Sequence, residues 1–295
     1  MNRLVVLSIL LNAVLIIAIG GYAYHKRDKI FKKIQSLFKT SHKEAYQSPR
    51  EIALANFNNE PLLAVNDSMM VGADSTITFL FLGNSLTYTG VPEEEPDKEN
   101  RGMASTKKEK DYVHVLLKTI ADNNHLNIKY SVLNIAQFER TFSVHSFTIE
   151  KIKLASIQEP DFLIVQIGEN VAREDIVNPE KFETEYIKLL SLFPHSKRII
   201  TIPFWPDKEK EYAITNVAIK SNSFLVDISH LGAGTDAKNF AASYRKYAEE
   251  GVGAHPGDYG MANIADCIYA IFNAIYCNQQ LQNTYSKSPE MFQHN

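Results

Sequence analysis

The sequence predicts a three-layer α/β/α fold around a mostly parallel central sheet. Three observations lead there. Five short apolar runs recur between residues 76 and 228, and three of them stop at Gly83, Gly168 or Pro203. The strongest, Phe79-Leu80-Phe81-Leu82 and Phe162-Leu163-Ile164-Val165, are continuously apolar rather than alternating, the pattern of a strand covered on both faces. Between the runs lie stretches with apolar residues at helical spacing, and strands that alternate with helices argue for parallel βαβ units.

Taken in order, residues 77–82 form the first strand. Gly83 and Asn84 suit a sharp turn, which puts Ser85 just past the strand's carboxyl end, where open α/β sheets bind their ligands. Residues 92–110, with Glu93-Glu94-Glu95 at their start, read as a solvated loop or flap beside Ser85. Residues 111–123 carry Val113, Leu116, Leu117 and Ile120 on one helical face. A second strand follows at 128–135, a helix at 144–157, the third strand at 162–167 and a helix at 179–192. Residues 198–202 form the fourth strand, 208–221 a helix, 223–228 the fifth strand and 263–277 a closing apolar helix. The last dozen residues are polar and read as a frayed tail.

The 295 residues are 45% hydrophobic and 22% charged, with a formal net charge of -3. That is an ordinary globular composition, and nothing in it suggests a nucleic-acid-binding surface. The two cysteines, Cys267 and Cys277, lie ten apart on one predicted helix, roughly 15 Å along its axis. A disulfide needs Cα atoms within about 7 Å, so both read as unpaired core thiols. No Cys/His cluster has metal-ligand spacing, and neither a metal nor an organic cofactor is implied.

Residues 4–24 are almost wholly apolar, with Ser8 and Asn12 the only clearly polar side chains. That length approaches the ~20 residues needed to span a bilayer, so 1–25 read as a transmembrane anchor, with a cleaved signal segment as the alternative. The basic flank His25-Lys26-Arg27 and Lys32-Lys33 favours a cytoplasmic side after the span. Residues 26–75 read as a juxtamembrane helix, about 28–38, and a linker; the main domain then runs 76–280, with a polar tail at 281–295.

Four stretches each follow a strand or open a helix: Gly83-Asn84-Ser85-Leu86, Asn134-Ile135-Ala136, Gly168-Glu169-Asn170 and His255-Pro256-Gly257-Asp258-Tyr259-Gly260-Met261. Taken singly they are ordinary: Ser85 can cap a helix, Asn134 can tie a loop, Asn170 can be a turn residue and His255 a loop histidine. Their order and spacing carry the functional reading. Serine, glycine, asparagine and histidine in this order on an α/β scaffold resemble the SGNH (GDSL-like) hydrolases, over roughly residues 76–276. Gly102-Met103-Ala104-Ser105 and Lys110-Asp111-Tyr112-Val113-His114 also look like a subgroup of bacterial members.

The resemblance implies an SGNH/flavodoxin-like domain and a serine esterase acting on a small acyl ester, an O-acetyl group on a glycan being one such substrate. It implies Ser85 as nucleophile and His255 as the base that takes its proton. The Ser85 N–H and the Asn170 amide would then form the oxyanion hole, each donor worth ~3–4 kcal/mol. Asp258 reads as a helix-end carboxylate. His145, Trp205 and Tyr88 are candidates to line the pocket, Trp205 either stacking on a sugar ring or simply packing.

Two positions depart from the family. The glycine whose N–H completes the oxyanion hole falls at Glu139, where only the backbone can serve. The triad acid, three residues before the histidine, falls at Val252, so either Glu250 orients His255 or a backbone carbonyl does. These departures leave two rivals open, a catalytically silent binding module of the same fold and an acyltransferase acting on a glycan. Exported relatives imply a single-pass membrane protein with its soluble domain periplasmic or extracellular, against the charge bias of the flank.

Overall fold

A computed structural model describes residues 62–90, 99–142, 152, 159–233, 240 and 250–287, all within the compact unit Glu60–Asn295. The anchor and juxtamembrane helix expected at 1–75 lie outside these residues, apart from the last stretch. So do His145 and all but Ile152 of the helix expected at 144–157. Among the described residues, no helix is long and apolar enough to cross a membrane.

Six strands form one sheet in the order β1-β3-β2-β4-β5-β6. They are β1 (Ala64–Met69), β2 (Thr76–Gly83), β3 (Asn127–Asn134), β4 (Phe162–Gln166), β5 (Lys197–Thr201) and β6 (Phe224–Val226). Strands β2 to β6 are mutually parallel, and β1 pairs antiparallel with β3 on one edge. The helices, numbered over the described residues, are α1 (Tyr112–Asn124), α2 (Ala136–Thr141), α3 (Arg173–Ile176), α4 (Glu180–Ser191), α5 (Lys208–Ser221), α6 (Glu250–Gly253) and α7 (Asp258–Lys287).

Successive strand residues point to opposite faces, so β2 divides its side chains between two apolar layers. Phe79 and Phe81 pack with α1 and α7, through Leu116, Leu117, Ile264 and Phe272. Leu80 and Leu82 pack with α2, α4 and α5, through Phe138, Phe182 and Val217. This is the three-layer arrangement the continuous apolar runs predicted. Phe272 closes one layer, its ring 4.8 Å from Phe162 and 5.6 Å from Phe79, geometries worth ~0.5–1.5 kcal/mol each beyond burial.

Four expectations need correction. β1 begins before the predicted domain boundary at 76: its sequence Ala-Val-Asn-Asp-Ser-Met is mostly exposed, as suits a polar edge strand, and so lacks an apolar signal. α7 starts at Asp258 and runs to Lys287, beyond the expected 263–277 and into the expected tail; its first turn is secured by Thr106 and Lys110, which donate to the Asp258 carboxylate at 2.7 and 2.9 Å. Cys277 is exposed rather than a core thiol, though both cysteines are free. Finally, of the solvated loop expected at 92–110, 92–98 lie outside the described residues and Lys107, Glu109 and Lys110 are exposed, but the middle is not solvated: Arg101, Ala104 and Ser105 are buried, and Met103 N–H donates to the Ser85 carbonyl at 2.8 Å.

The sheet order places the site. From β2 the chain crosses to β3 on one side and then to β4 on the other, so the topological switch lies between β2 and β4. Ligands of doubly wound sheets bind at the carboxyl ends of the strands flanking that point. Ser85 follows β2, and Gly168-Glu169-Asn170 follow β4.

Candidate active site

The turn after β2 is built to raise one hydroxyl. Thr87 and Tyr88 N–H both donate to the Asn84 carbonyl at 3.0 Å, and Leu86 N–H donates to the Asn84 side-chain oxygen at 3.1 Å, a turn that asparagine favours. Every residue from Phe81 to Tyr88 is buried except Ser85. Gly83 is required by space: a Cβ there would stand 1.8 Å from Thr87 Oγ1. That hydroxyl is itself fixed 2.8 Å from Tyr112 OH on α1.

His255 comes from the loop between α6 and α7, 170 residues along the chain. Its Nε2 lies 2.9 Å from Ser85 Oγ. Its Nδ1 lies 2.8 Å from the Gly251 carbonyl. A carbonyl only accepts, so Nδ1 carries the proton and Nε2 presents its lone pair to the serine. That is the tautomer a general base needs. Val252, three residues before the histidine, is buried against Ala104 and Met103, and the neighbouring carbonyl makes the orienting bond. The Trp205 ring meets the imidazole edge-on, centroids 5.1 Å apart, so Trp205 lies beside the base. Burial lowers the His255 pKa below its ordinary 6.5, and the Gly251 bond opposes this only in part.

Behind the serine lies a buried polar floor. The Glu139 carboxylate, fully buried on α2, accepts from Gly168 N–H at 2.6 Å, Asn170 N–H at 3.1 Å and Asn84 Nδ2 at 3.3 Å through Oε1, and from Asn170 Nδ2 at 2.8 Å through Oε2. Gly168 can offer its N–H this way at φ +133°, a region open to glycine. Glu169 accepts from Gln166 Nε2 at 2.6 Å, Asn84 Nδ2 at 2.7 Å and Phe204 N–H at 2.9 Å. The Asn84 amide thus bridges two carboxylates. Burial, and then the negative charge of Glu169, push the Glu139 carboxyl up to about 7; burial pushes Glu169 up as well, against its hydrogen bonds.

The structure therefore brings Ser85 and His255 into hydrogen-bond reach at the carboxyl end of the central strands, places Asn170 after the adjacent strand β4, and sets Trp205 against the histidine. Tyr88 is buried, its carbonyl held by Asn134 Nδ2 at 2.6 Å, so Asn134 ties the loop after β2 as its simplest reading proposed. At position 139 it is the side chain, rather than the backbone N–H, that reaches Asn170. Sequence reasoning did not find Glu169 or Gln166 as parts of the site. Their signal was present: a carboxylate and an amide in the apolar run Phe162-Leu163-Ile164-Val165-Gln166-Ile167-Gly168-Glu169 need buried partners.

A serine–histidine pair at the switch point of a doubly wound sheet is the arrangement this molecule presents. No protein-family model matches the chain, and no curated protein matches it. Solved structures similar to it include a family 3 carbohydrate esterase from Clostridium thermocellum, 16% identical over 68% of this chain and 99% of that one, with a TM-score of 0.44. A member of the lipolytic G-D-S-L family from Veillonella parvula is 13% identical over 68% of this chain and 99% of that one, with a TM-score of 0.41. A family two carbohydrate esterase from Cellvibrio japonicus is 14% identical over 70% of this chain, with a TM-score of 0.45; this chain spans 62% of that esterase. The functional reading rests on the geometry of the site.

Proposed function

We propose that the chain is a serine esterase of SGNH type that hydrolyses a small acyl ester, an O-acetyl group on a glycan being the preferred candidate. The observation that carries this is the Ser85 Oγ to His255 Nε2 distance of 2.9 Å, with the imidazole tautomer set by Gly251. Ser85 Oγ attacks the acyl carbon as its proton passes to Nε2. The carbonyl oxygen becomes an oxyanion, met by the Ser85 N–H and the second hydrogen of the Asn170 amide. The C–O bond to the alcohol breaks, and that alcohol leaves with the proton from Nε2. Water then attacks the acyl-serine, giving its proton to Nε2, and the acid departs as Ser85 recovers its hydrogen.

The glycan preference is supported by Trp205, half-buried beside the base, since an aromatic face there suits a sugar ring. The apolar segment 4–24 would hold the domain at a membrane, and an outward-facing domain would meet exported glycan esters. The test is full-length protein in detergent with p-nitrophenyl acetate and acetylated oligosaccharides. Release of acetate that vanishes in Ser85→Ala supports the esterase. Equal turnover by mutant and wild type, or no turnover of any ester, refutes it. New ester on an added sugar acceptor, in place of free acetate, assigns acyl transfer instead.

A further inference from the structure

Burying a carboxylate away from water costs several kcal/mol unless its oxygens are well bonded. Glu139 is bonded by four N–H groups, and every one belongs to a segment of the site: the turn after β2 through Asn84, and the turn after β4 through Gly168 and Asn170. Asn170 is held at both ends. Its Nδ2 donates to Glu139, and its Oδ1 accepts from Arg140 Nη2 at 2.9 Å. A carboxylate only accepts and a guanidinium only donates, so the amide cannot be turned end for end. One Nδ2 hydrogen goes to Glu139, and the other is the one an oxyanion would use. Through Asn84, whose Oδ1 holds Leu86 N–H, the same carboxylate reaches the turn that carries Ser85.

We infer that Glu139 is a positioning residue of the hydrolase centre: its carboxylate orients the Asn170 amide toward the developing oxyanion and, with Glu169 through Asn84, holds the Ser85 turn in register with it. The inference rests on the esterase reading above. Glu139 does not touch the reacting atoms; it acts through Asn170 and Asn84. All four partners are donors, so above pH 7, where the group raised to about 7 is ionised, an uncharged isostere cannot replace it: in Glu139→Gln the new NH2 must face at least one N–H, and the kinetics are therefore read at pH 8. Misorientation of a transition-state donor lowers kcat and leaves substrate binding nearly unchanged.

The experiment measures kcat, KM and melting temperature of full-length wild type, Ser85→Ala, Glu139→Gln and Arg140→Ala with one acetyl ester. Glu139→Gln is expected to lower kcat about 10- to 100-fold, a fraction of the ~10²–10³ carried by an oxyanion donor, with KM within about twofold. Arg140→Ala, acting on the same amide from its exposed side, is expected to lower kcat about 3- to 10-fold, again at constant KM. A folded Glu139→Gln with kcat within about twofold of wild type overturns the inference, as does a loss that lies mainly in KM. If Glu139→Gln fails to fold, Arg140→Ala decides: lowered kcat at constant KM supports the clamp, and unchanged kcat overturns it. A wild type without Ser85-dependent turnover removes the esterase reading, and the inference falls with it.

Discussion

The buried Glu139, coupled to half-buried Glu169, should make folding stability fall as pH rises across the neutral range. An unfolded glutamate ionises near 4.3, whereas burial and the neighbouring charge raise the folded Glu139 to about 7. Between those values the folded chain keeps a proton that the unfolded chain has released. Stability is then full below the unfolded value and is lost as pH climbs through the folded one, at about 1.4 kcal/mol per pH unit for one proton. From pH 5 to pH 8 the loss amounts to ~2–3 kcal/mol, on the order of the shift in Glu139. The proton belongs to the pair rather than to either member, and Tyr186 on α4 stays a neutral phenol, pushed up by its burial and then by the charge of both carboxylates. His255 acts in the opposite sense: its lowered pKa makes stability rise with pH through the region just below 6.5. Comparison with a variant removes that contribution, because His255 is common to both. Urea unfolding of wild type and Glu139→Gln at pH 5, 6, 7 and 8, at fixed ionic strength, gives the difference directly. The advantage of wild type over Glu139→Gln should shrink by ~2 kcal/mol across the series. A difference constant to within ~0.5 kcal/mol, or one that grows with pH, would refute the claim that the pair holds a proton in the folded state.

Two further outcomes follow from the geometry. The acid limb of kcat/KM should lie below the ordinary histidine value of 6.5, because burial lowers His255 and the neutral Gly251 carbonyl raises it only in part; a pH–rate profile whose acid limb lies above 6.5 would show that a carboxylate partners the imidazole after all. Gly83→Ala should abolish turnover and destabilise the domain by ~3 kcal/mol or more, since its Cβ would fall 1.8 Å from Thr87 Oγ1 and overpacking of this severity exceeds the usual 1–3 kcal/mol; an active Gly83→Ala with an unchanged melting temperature contradicts the packing described for the turn.

What was legible in the sequence was local. The strand, glycine and serine at 77–85 announce themselves because each residue type answers a need of its immediate neighbours: burial on two faces, a close approach to Thr87, a raised hydroxyl. The run His255-Pro256-Gly257-Asp258 was legible for the same reason, being a helix start with a histidine just before it. The edge strand β1 was not, because a strand with a mostly exposed pattern has no periodic apolar signal to read. The short helix α2 was hidden behind β3, and with it the direction of Glu139, whose partners lie in two other segments of the chain. The sequence left Glu250 and a backbone carbonyl as alternatives for orienting His255, and side-chain motifs could not choose between them; the carbonyl is that of Gly251.

That substitution ties the two halves of the site together. A triad carboxylate does two things: it selects the imidazole tautomer, and it stabilises the imidazolium that forms as the serine is deprotonated. The Gly251 carbonyl, 2.8 Å from Nδ1, performs the first as well as a carboxylate would. For the second it offers only a neutral dipole, which opposes only in part the lowering of the His255 pKa that burial causes. On the proposed esterase reading, transition-state stabilisation comes more from the oxyanion side, where its value depends on donors that are already aimed before the substrate arrives. The convergence of Glu139 and Arg140 on one amide supplies that aim. The carboxylates of this site thus bond Asn170 rather than His255, which on the proposed reading places them behind the oxyanion donor and not behind the base. The same reasoning explains why Val252, three residues before the histidine, can be a packed apolar residue: with Nδ1 already bonded to the adjacent carbonyl, a carboxylate at 252 would have no free hydrogen of the imidazole to accept.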